Sequence, residues 1–412
     1  MIGWKRNLYI IWIAQFIAMI GMSMVIPFLP FYIRELGVTD PTELEKWSGL
    51  VFAGPFVLSF VMTPVWGALG DKFGKKPMVV RAIFGLALSQ LLLGLATDVF
   101  QLLLFRMFQG AVSGFIAASL ALIASVTPKE KSGYALGMLQ TSIAAGTIIG
   151  PVIGGLLADI ISVSNIFFIT SVMCFSSGIL IIFLVDKGST MVQNSSYTVI
   201  DNIKYSFSSP RLIIPLISIF FVQVALMMTM PVFALYIESF KINTEYISTI
   251  TGTIFGVMGL FTVISSPWWG KKNDASGIRR NIIIAMSGAG IALILHSVVL
   301  NAIMLYPLRA ILGFFVGGII PAFYSYLNKN TGEDRKGGIM GIASSFTLLG
   351  NLVGPLTCTA LTGYISLSFI FTISGFLLIA NSLFVYLKLT DIRKLKISKD
   401  EEVILIPLDN KL

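Results

Sequence analysis

Apolar runs of about 20 residues, uncharged over their centres, recur from end to end of the chain, separated by short clusters of charge, proline and glycine. As an α-helix, a run of that length crosses the roughly 30 Å hydrocarbon core of a bilayer. The pattern predicts twelve such helices, numbered 1 to 12 in chain order, near 8–33, 46–70, 77–97, 99–124, 134–158, 164–185, 211–237, 246–270, 281–300, 303–328, 337–363 and 366–388. One long polar break, DKGSTMVQNSSYTVIDNIKYSFSSP from Asp186 to Pro210, follows helix 6. It reads as a linker (186–210) between an N-terminal bundle (1–185) and a C-terminal bundle (211–389), with a charged tail at 390–412. Lys5 and Arg6 resemble the start of a signal peptide, but the apolar run behind them is too long and lacks a small-residue cleavage site, so it is read as helix 1.

The two halves carry the same residues at a fixed spacing. Pro64, Trp66, Gly67, Asp71 and Gly74 recur 203 positions later as Pro267, Trp269, Gly270, Asp274 and Gly277. Arg106, Gly110 and Gly114 recur at the same spacing as Arg309, Gly313 and Gly317. Gly150-Pro151 recurs 204 later as Gly354-Pro355, and Pro27, Tyr32 and Ile33 as Pro231, Tyr236 and Ile237. Agreement in four helices to within one residue identifies a duplicated six-helix unit. Six is even, so both copies enter the bilayer from the same side, related by an axis along the membrane normal. The predicted fold is an all-α membrane protein of twelve transmembrane helices in two pseudo-symmetric six-helix bundles. Secondary transporters use this architecture for alternating access, holding substrate near the midplane between the halves.

Composition agrees: 56% of the 412 residues are hydrophobic and 12% charged, about half the ~25% of a soluble domain. The net charge of +9 looks like a nucleic-acid signal until the bases are placed. With the termini and every second loop on one face, twenty-four of the twenty-nine basic residues lie there. Arg34, Lys46 and Lys241 lie on the other face, and Arg106 and Arg309 fall inside helices. The positive-inside rule then places both termini in the cytoplasm, with no nucleic-acid partner needed. Cys174 and Cys358 sit in apolar runs, which argues against a disulfide framework, and two cysteines cannot build the usual structural zinc site. No HExxH, G-x-S-x-G or buried carboxylate pair offers hydrolytic chemistry, so no catalytic residue, cofactor or metal is expected.

Three segments resemble one family. GALGDKFGKK (Gly67–Lys76), after helix 2, resembles the major facilitator superfamily loop motif G-x-L-a-D-[RK]-x-G-[RK]-[RK], with Gly70 in place of the usual alanine. GTIIGPVIGG (Gly146–Gly155) in helix 5 resembles the G-x-x-x-G-P-x-x-G-G motif of the drug:proton antiporters, an exporter signature. Arg106 with Gln109-Gly110 resembles the R-x-x-Q-G element of helix 4. WKRNL, IPFLP and KSGYALG are similar to the MdtG-type multidrug-resistance branch of the twelve-helix antiporters. The resemblance implies a proton-coupled exporter in a bacterial inner membrane. It implies that Gly67, Asp71, Gly74 and Lys75 form a latch holding the outward-open state, and that Gly146, Gly150, Pro151 and Gly154 form a hinge and seal between the halves.

The residue types suit those roles. Asp71 can dock on a helix N-terminus or a base, while Lys72, Lys75 and Lys76 hold the loop at an anionic surface. Gly146, Gly150 and Gly154 share one helical face, open to close backbone packing, with Gly252 and Gly256 of helix 8 as the expected partner. Pro151 removes a hydrogen bond and bends its helix. The plainer alternatives are an ordinary basic loop and generic packing glycines.

Arg106 and Arg309 are the only formal charges well inside the predicted helices, about 10 Å from the end at 1.5 Å per residue. Charge at that depth defaults to function, with snorkelling as the competing account. No Asp or Glu falls inside a predicted helix, so the cavity reads as positive or uncharged and the substrate as a neutral or anionic amphipathic small molecule. The candidate cavity residues are Gln15, Arg106, Gln109, Gln140, Gln223, Arg309 and Asn351; for any single one, a helix–helix hydrogen bond is an equal account. Candidate proton carriers are Glu35, Asp71, Glu238 and His296, the last either functional through its near-neutral pKa or merely wetted at a loop end. The leading expectation is a monomeric proton-driven exporter in a lipid bilayer. A dedicated exporter of a carboxylated metabolite or siderophore, a proton symporter and a non-transporting sensor are the alternatives.

Overall fold

The computed structural model describes residues 3–186, 198–241 and 244–389, so the tail and much of the linker read from the sequence lie outside the described residues. Among the described residues, twelve helices are long and apolar enough to cross a membrane. They are Gly3–Glu35, Pro41–Gly70, Lys75–Gly94, Val99–Val126, Ser132–Ala158, Val163–Leu184, Pro210–Glu238, Ile247–Ser276, Ile278–His296, Ala302–Lys329, Lys336–Leu361 and Leu367–Lys388. These are helices 1 to 12 of the sequence reading. Twelve passes bring the chain back to the face it started from, the terminal face; the opposite one is the far face.

The ends differ in one systematic way. Helix 2 starts at Pro41, where the Asp40 side chain caps it by accepting the Glu43 amide at 2.9 Å, and its helical turns continue to Phe73. Helix 8 likewise runs on to Ser276. Glu43, Glu45, Asp71 and Asp274 therefore lie within helices, which corrects the expectation that no acid does. The physical reason is that a helix satisfies its own backbone in lipid and in water alike, so charges mark the edge of the hydrocarbon and not the end of the helix. The stretch 186–210 also contains a short helix, Val199–Ser208, opened by a capping box between Thr198 and Asp201. The bonds from Thr198 hold the Asp201 carboxyl below its ordinary range.

The duplication persists in the hydrogen bonds that tie helix to helix. Trp66 Nε1 donates to the Ala111 carbonyl at 2.6 Å, and Trp269 Nε1 to the Phe314 carbonyl at 2.7 Å. The Tyr32 hydroxyl donates to the Leu93 carbonyl at 2.7 Å, and the Tyr236 hydroxyl to the His296 carbonyl at 2.6 Å. Ser59 reaches the Gly110 carbonyl at 3.1 Å as Thr262 reaches that of Gly313 at 3.2 Å. In each case the second bond lies 203 or 204 positions after the first. A side-chain donor inside a bilayer has no water to turn to, so each of these groups must find a carbonyl on a neighbouring helix.

Helix 4 is where the copies part. Its counterpart, helix 10, is unbroken from Leu305 to Lys329, but helix 4 stops at Ala111 and restarts at Phe115, with Gly114 at φ +109. The Val112 and Ser113 carbonyls at the break accept from Arg81 of helix 3 at 3.0 and 3.2 Å. The same guanidinium lies 3.6 Å over the Trp66 ring. Arg81, one of the twenty-four bases that the sequence reading assigns to one face, is thus a working charge inside helix 3, and Ile284 stands at its place in the second half. Replacing Arg81 by Met strands both carbonyls and should cost about 2 kcal/mol. Thermal unfolding in detergent reads this as a lowered midpoint, partly recovered in Arg81→Lys; an unchanged midpoint would refute this account of the break.

Candidate functional site

Helices 1–6 pack chiefly on one another, as do helices 7–12; helix 5 meets helix 8 and helix 2 meets helix 11 where the two sets join. Two lipid-facing apolar surfaces gain nothing by meeting, so such a seam depends on close backbone approach and polar pairs. Both are present. A Cβ on Gly252 would overlap the Pro151 carbonyl, and one on Gly49 would crowd the Pro355 carbonyl. These contacts are the same contact made twice, since Gly252 and Pro355 repeat Gly49 and Pro151.

Polar pairs reinforce each seam. Asp159, at the end of helix 5, accepts the Ser248 amide on Oδ1 at 3.0 Å. Its Oδ2 accepts the Thr249 amide at 2.8 Å and the Thr249 hydroxyl at 2.6 Å. One half thus supplies the helix cap for the other, placing a carboxylate where the first turn of helix 8 offers unpaired amides. On the second seam the Thr359 hydroxyl donates to the Lys46 carbonyl at 3.4 Å. Between the seams, Arg34 and Glu238 form a bidentate pair, both bonds 2.7 Å. These two positions are equivalent by the repeat, 204 apart, and a two-fold axis brings equivalent positions face to face. Identical charges would repel there; opposite ones make a clasp. The hydrogen bonds found between the halves among the described residues all lie at the far face.

The sequence-predicted residues distribute as follows. Gly146, Gly150 and Gly154 do not face helix 8, which corrects the expected partner: a Cβ on each would meet Met19, Ser23 or Met24 of helix 1. The helix 8 seam uses the neighbouring strip of helix 5, with Ile148, Pro151, Val152 and Gly155 against Gly252, Gly256 and Ser248. Helix 5 carries two glycine faces, one for its own bundle and one for the other. In the helix 2–3 loop, Gly74 sits at φ +96, a conformation L side chains rarely adopt, and its repeat Gly277 at φ +94. Among the described residues, and apart from its own helix and chain neighbours, no atom lies within 4 Å of a Cβ built on Gly67. Lys75 opens helix 3, and the Asp71 side chain lies outside the described residues.

Of the cavity candidates, Arg106 and Gln109 are brought together: Arg106 Nη1 donates to Gln109 Oε1 at 2.7 Å and Nε to the Val51 carbonyl at 3.3 Å. Gln15 is not at a cavity wall. It is 0% exposed and donates to the Leu139 carbonyl at 3.2 Å, locking helix 1 to helix 5. Arg309 is 1% exposed, inside the second half, with its guanidinium 3.5 Å over the Phe233 ring and Nη1 on Met258 Sδ at 3.2 Å. Gln140 is exposed, and Gln223 and Asn351 are half-buried.

Among the proton candidates, Glu238 is engaged with Arg34, and Glu35 accepts the Val163 amide at 3.3 Å. His296 is 0% exposed, which corrects the wetted loop-end reading. Its Nδ1 lies 2.7 Å from the Ala292 carbonyl and its ring stacks on Phe371 at 5.8 Å, because helix 9 ends on this residue under helix 12. Sequence reasoning passed over Asp159, Arg34, Gly49 and Arg81 as site residues. The repeat register could have found the first pair on the axis, since Arg34 and Glu238 stand at the Tyr32–Tyr236 spacing.

The Major Facilitator Superfamily model matches residues 11–295 and 216–408. The chain is 34% identical over 384 residues to "Multidrug resistance protein MdtG" of Salmonella arizonae, covering 93% of this chain and 95% of the relative; the Salmonella newport protein of that name matches to the same degree. The resemblance read from WKRNL, IPFLP and KSGYALG is borne out. Among solved structures the chain is similar to a point mutant of the nucleoside transporter NupG, with a TM-score of 0.78 at 12% identity. It is similar also to the human organic anion transporter MFSD10 (TETRAN), with a TM-score of 0.68 at 15% identity. Each likeness covers 93% of this chain and 100% of the other, and at these identities it speaks for the twelve-helix fold alone.

The clasp makes a prediction. Glu238→Arg sets two guanidinium groups against each other and should raise the population open at the far face roughly tenfold. Spin labels at Thr39 and Lys241 report it as a longer distance, and the swap Arg34→Glu/Glu238→Arg restores the shorter one. A distance insensitive to the single reversal would show that the pair does not hold the halves.

Proposed function

The chain belongs to the major facilitator superfamily, a family of secondary transporters, and from that premise we propose that it exports small amphipathic molecules across a bacterial inner membrane in exchange for protons. The observation that carries the reading is the duplicated far-face seam, Gly252 on the Pro151 carbonyl and Gly49 on the Pro355 carbonyl. It gives the two halves a contact at one face that can be surrendered as a unit while each bundle keeps its own bonds. The likeness to multidrug resistance proteins over 93% of the chain, together with the GTIIGPVIGG segment, supports export over uptake. The basic residues of the terminal face support its placement in the cytoplasm. Two halves in one chain make a cavity without a partner, so a monomer suffices.

Substrate charge follows from what is buried. Among the described residues, the buried formal charges are Arg106 and Arg309, both positive. A cation would meet no buried carboxylate among them, whereas a neutral or anionic molecule meets Arg106 with Gln109 on one side and Gln140, Gln223 and Asn351 on others. Proton coupling is proposed through Glu35, Asp71 or Glu238, and the Arg34–Glu238 clasp is the contact that parts when the far face opens. Gly67, Asp71, Gly74 and Lys75 latch the terminal face when that side closes.

Inverted membrane vesicles under an imposed proton gradient test this with a panel of cationic, neutral and anionic fluorescent compounds. Gradient-dependent accumulation of neutral or anionic compounds is expected, reduced at least about tenfold in folded Arg106→Ala. Accumulation of cations alone would overturn the charge reading, and no transport of any compound would favour a sensor.

A further inference from the structure

At the terminal face, helices 9 and 12 leave a shallow groove of about 230 Å³ lined by Arg279, Arg280, Ile283, Ile284 and Tyr386. Its framework is inherited from the first half. There Lys76 of helix 3 donates to the Ile182 and Val185 carbonyls at 2.8 and 2.6 Å, satisfying the open end of helix 6. Arg279 is the repeat of Lys76, and its Nη2 donates to the carbonyl of Tyr386, the repeat of Ile182.

The second copy then departs from the first in charge. An ammonium that serves two carbonyls is largely spent, but a guanidinium carries five N–H donors. Arg279 Nε is buried with no hydrogen-bond partner among the described residues, and the guanidinium lies 5.5 Å from the centre of the Tyr386 ring. Arg280 replaces Pro77 of the first half; it is exposed and makes no hydrogen bond or ion pair among the described residues. Ile284, itself 38% exposed, replaces Arg81, so the strip one turn deeper has become apolar. The acid nearest in sequence, Asp274, pairs with Lys329 at 3.2 Å. Helix 9 packs on helices 10 and 12 of its own half, away from the seam, so the groove opens to lipid.

We propose that this groove binds one anionic phospholipid, its phosphate between Arg279 and Arg280 and an acyl chain along Ile283 and Ile284. Two cations with donors to spare stand at the membrane edge above an apolar strip, and such a lipid matches both parts of that surface. The corresponding place in the first half, with Lys76 committed and Pro77 uncharged, has no such affinity. The proposal rests on membrane placement and not on the direction of transport, so it stands or falls apart from export.

Native mass spectrometry of the purified full-length protein, with phosphatidylglycerol or phosphatidylcholine added in detergent, tests it. One phosphatidylglycerol should be retained in preference, and Arg280→Ala should lower its bound fraction about fivefold, with a larger loss in Arg279→Ala/Arg280→Ala. Because Arg280 bonds to nothing among the described residues, its removal leaves the fold in place, and Arg280→Lys should restore most of the binding. The control Lys204→Ala/Arg211→Ala removes the same charge from the same face and should bind as the parent does. Parental binding by Arg280→Ala, equal retention of the two lipids, or an equal loss in the control would each overturn the site. Displacement of the lipid by millimolar inorganic phosphate would assign the groove to a soluble anion instead.

Discussion

Two helices that leave lipid to meet each other exchange one apolar neighbour for another, and that constraint shapes this protein. Without a hydrophobic gain to hold the halves together, contact must come from backbones brought close at glycine and from polar groups with nowhere else to go. The far face uses both. Gly252 and Gly49 admit carbonyls from the opposite half, Asp159 caps a helix it does not belong to, and Arg34 meets Glu238. Within each half the same logic gives many more bonds, including Trp66 to Ala111 and Trp269 to Phe314. The interface is therefore the weaker set, which is what a molecule that opens at alternate faces needs.

Duplication lets the two copies be read against each other. Where backbone geometry leaves no choice, they agree: Gly74 and Gly277 at positive φ, Tyr32 and Tyr236 on carbonyls, prolines 151 and 355 at the seams. Where they disagree, one copy has taken on a separate task. Arg34 became opposite in charge to Glu238, Arg81 serves a helix break that Ile284 does not face, and Arg280 brings a cation where Pro77 had none. Symmetric contacts build the frame, and the broken positions carry most of the charge.

The buried arginines illustrate how a charge is kept in hydrocarbon without an acid. Arg106 has a carbonyl and a glutamine oxygen. Arg309 has a methionine sulfur and the faces of Phe233 and Phe255, with ring centres 3.5 and 5.5 Å away. Aromatic faces and a polarizable sulfur stabilise a cation more weakly than a carboxylate, yet they leave the local charge positive. A carboxylate beside either arginine would neutralise the buried charge of that half.

The number of helices, the duplication and the loop glycines were legible in the amino-acid order, because each follows from local rules. A run of apolar residues must become a helix in a bilayer, most charge lies at its edges, and Gly74 must be glycine wherever that loop packs. Periodicity also showed that Gly146, Gly150 and Gly154 share a face. It could not say which neighbour that face meets, since helix 1 and helix 8 are equally apolar and flank the same helix. The same limit hid Gln15 behind Leu139 and left His296 between a functional and a wetted reading when it lies under Phe371. Burial, ion pairing across the axis and the donor to a broken helix depend on which surfaces meet. That is decided by packing between residues far apart along the chain, and only the tertiary structure records it.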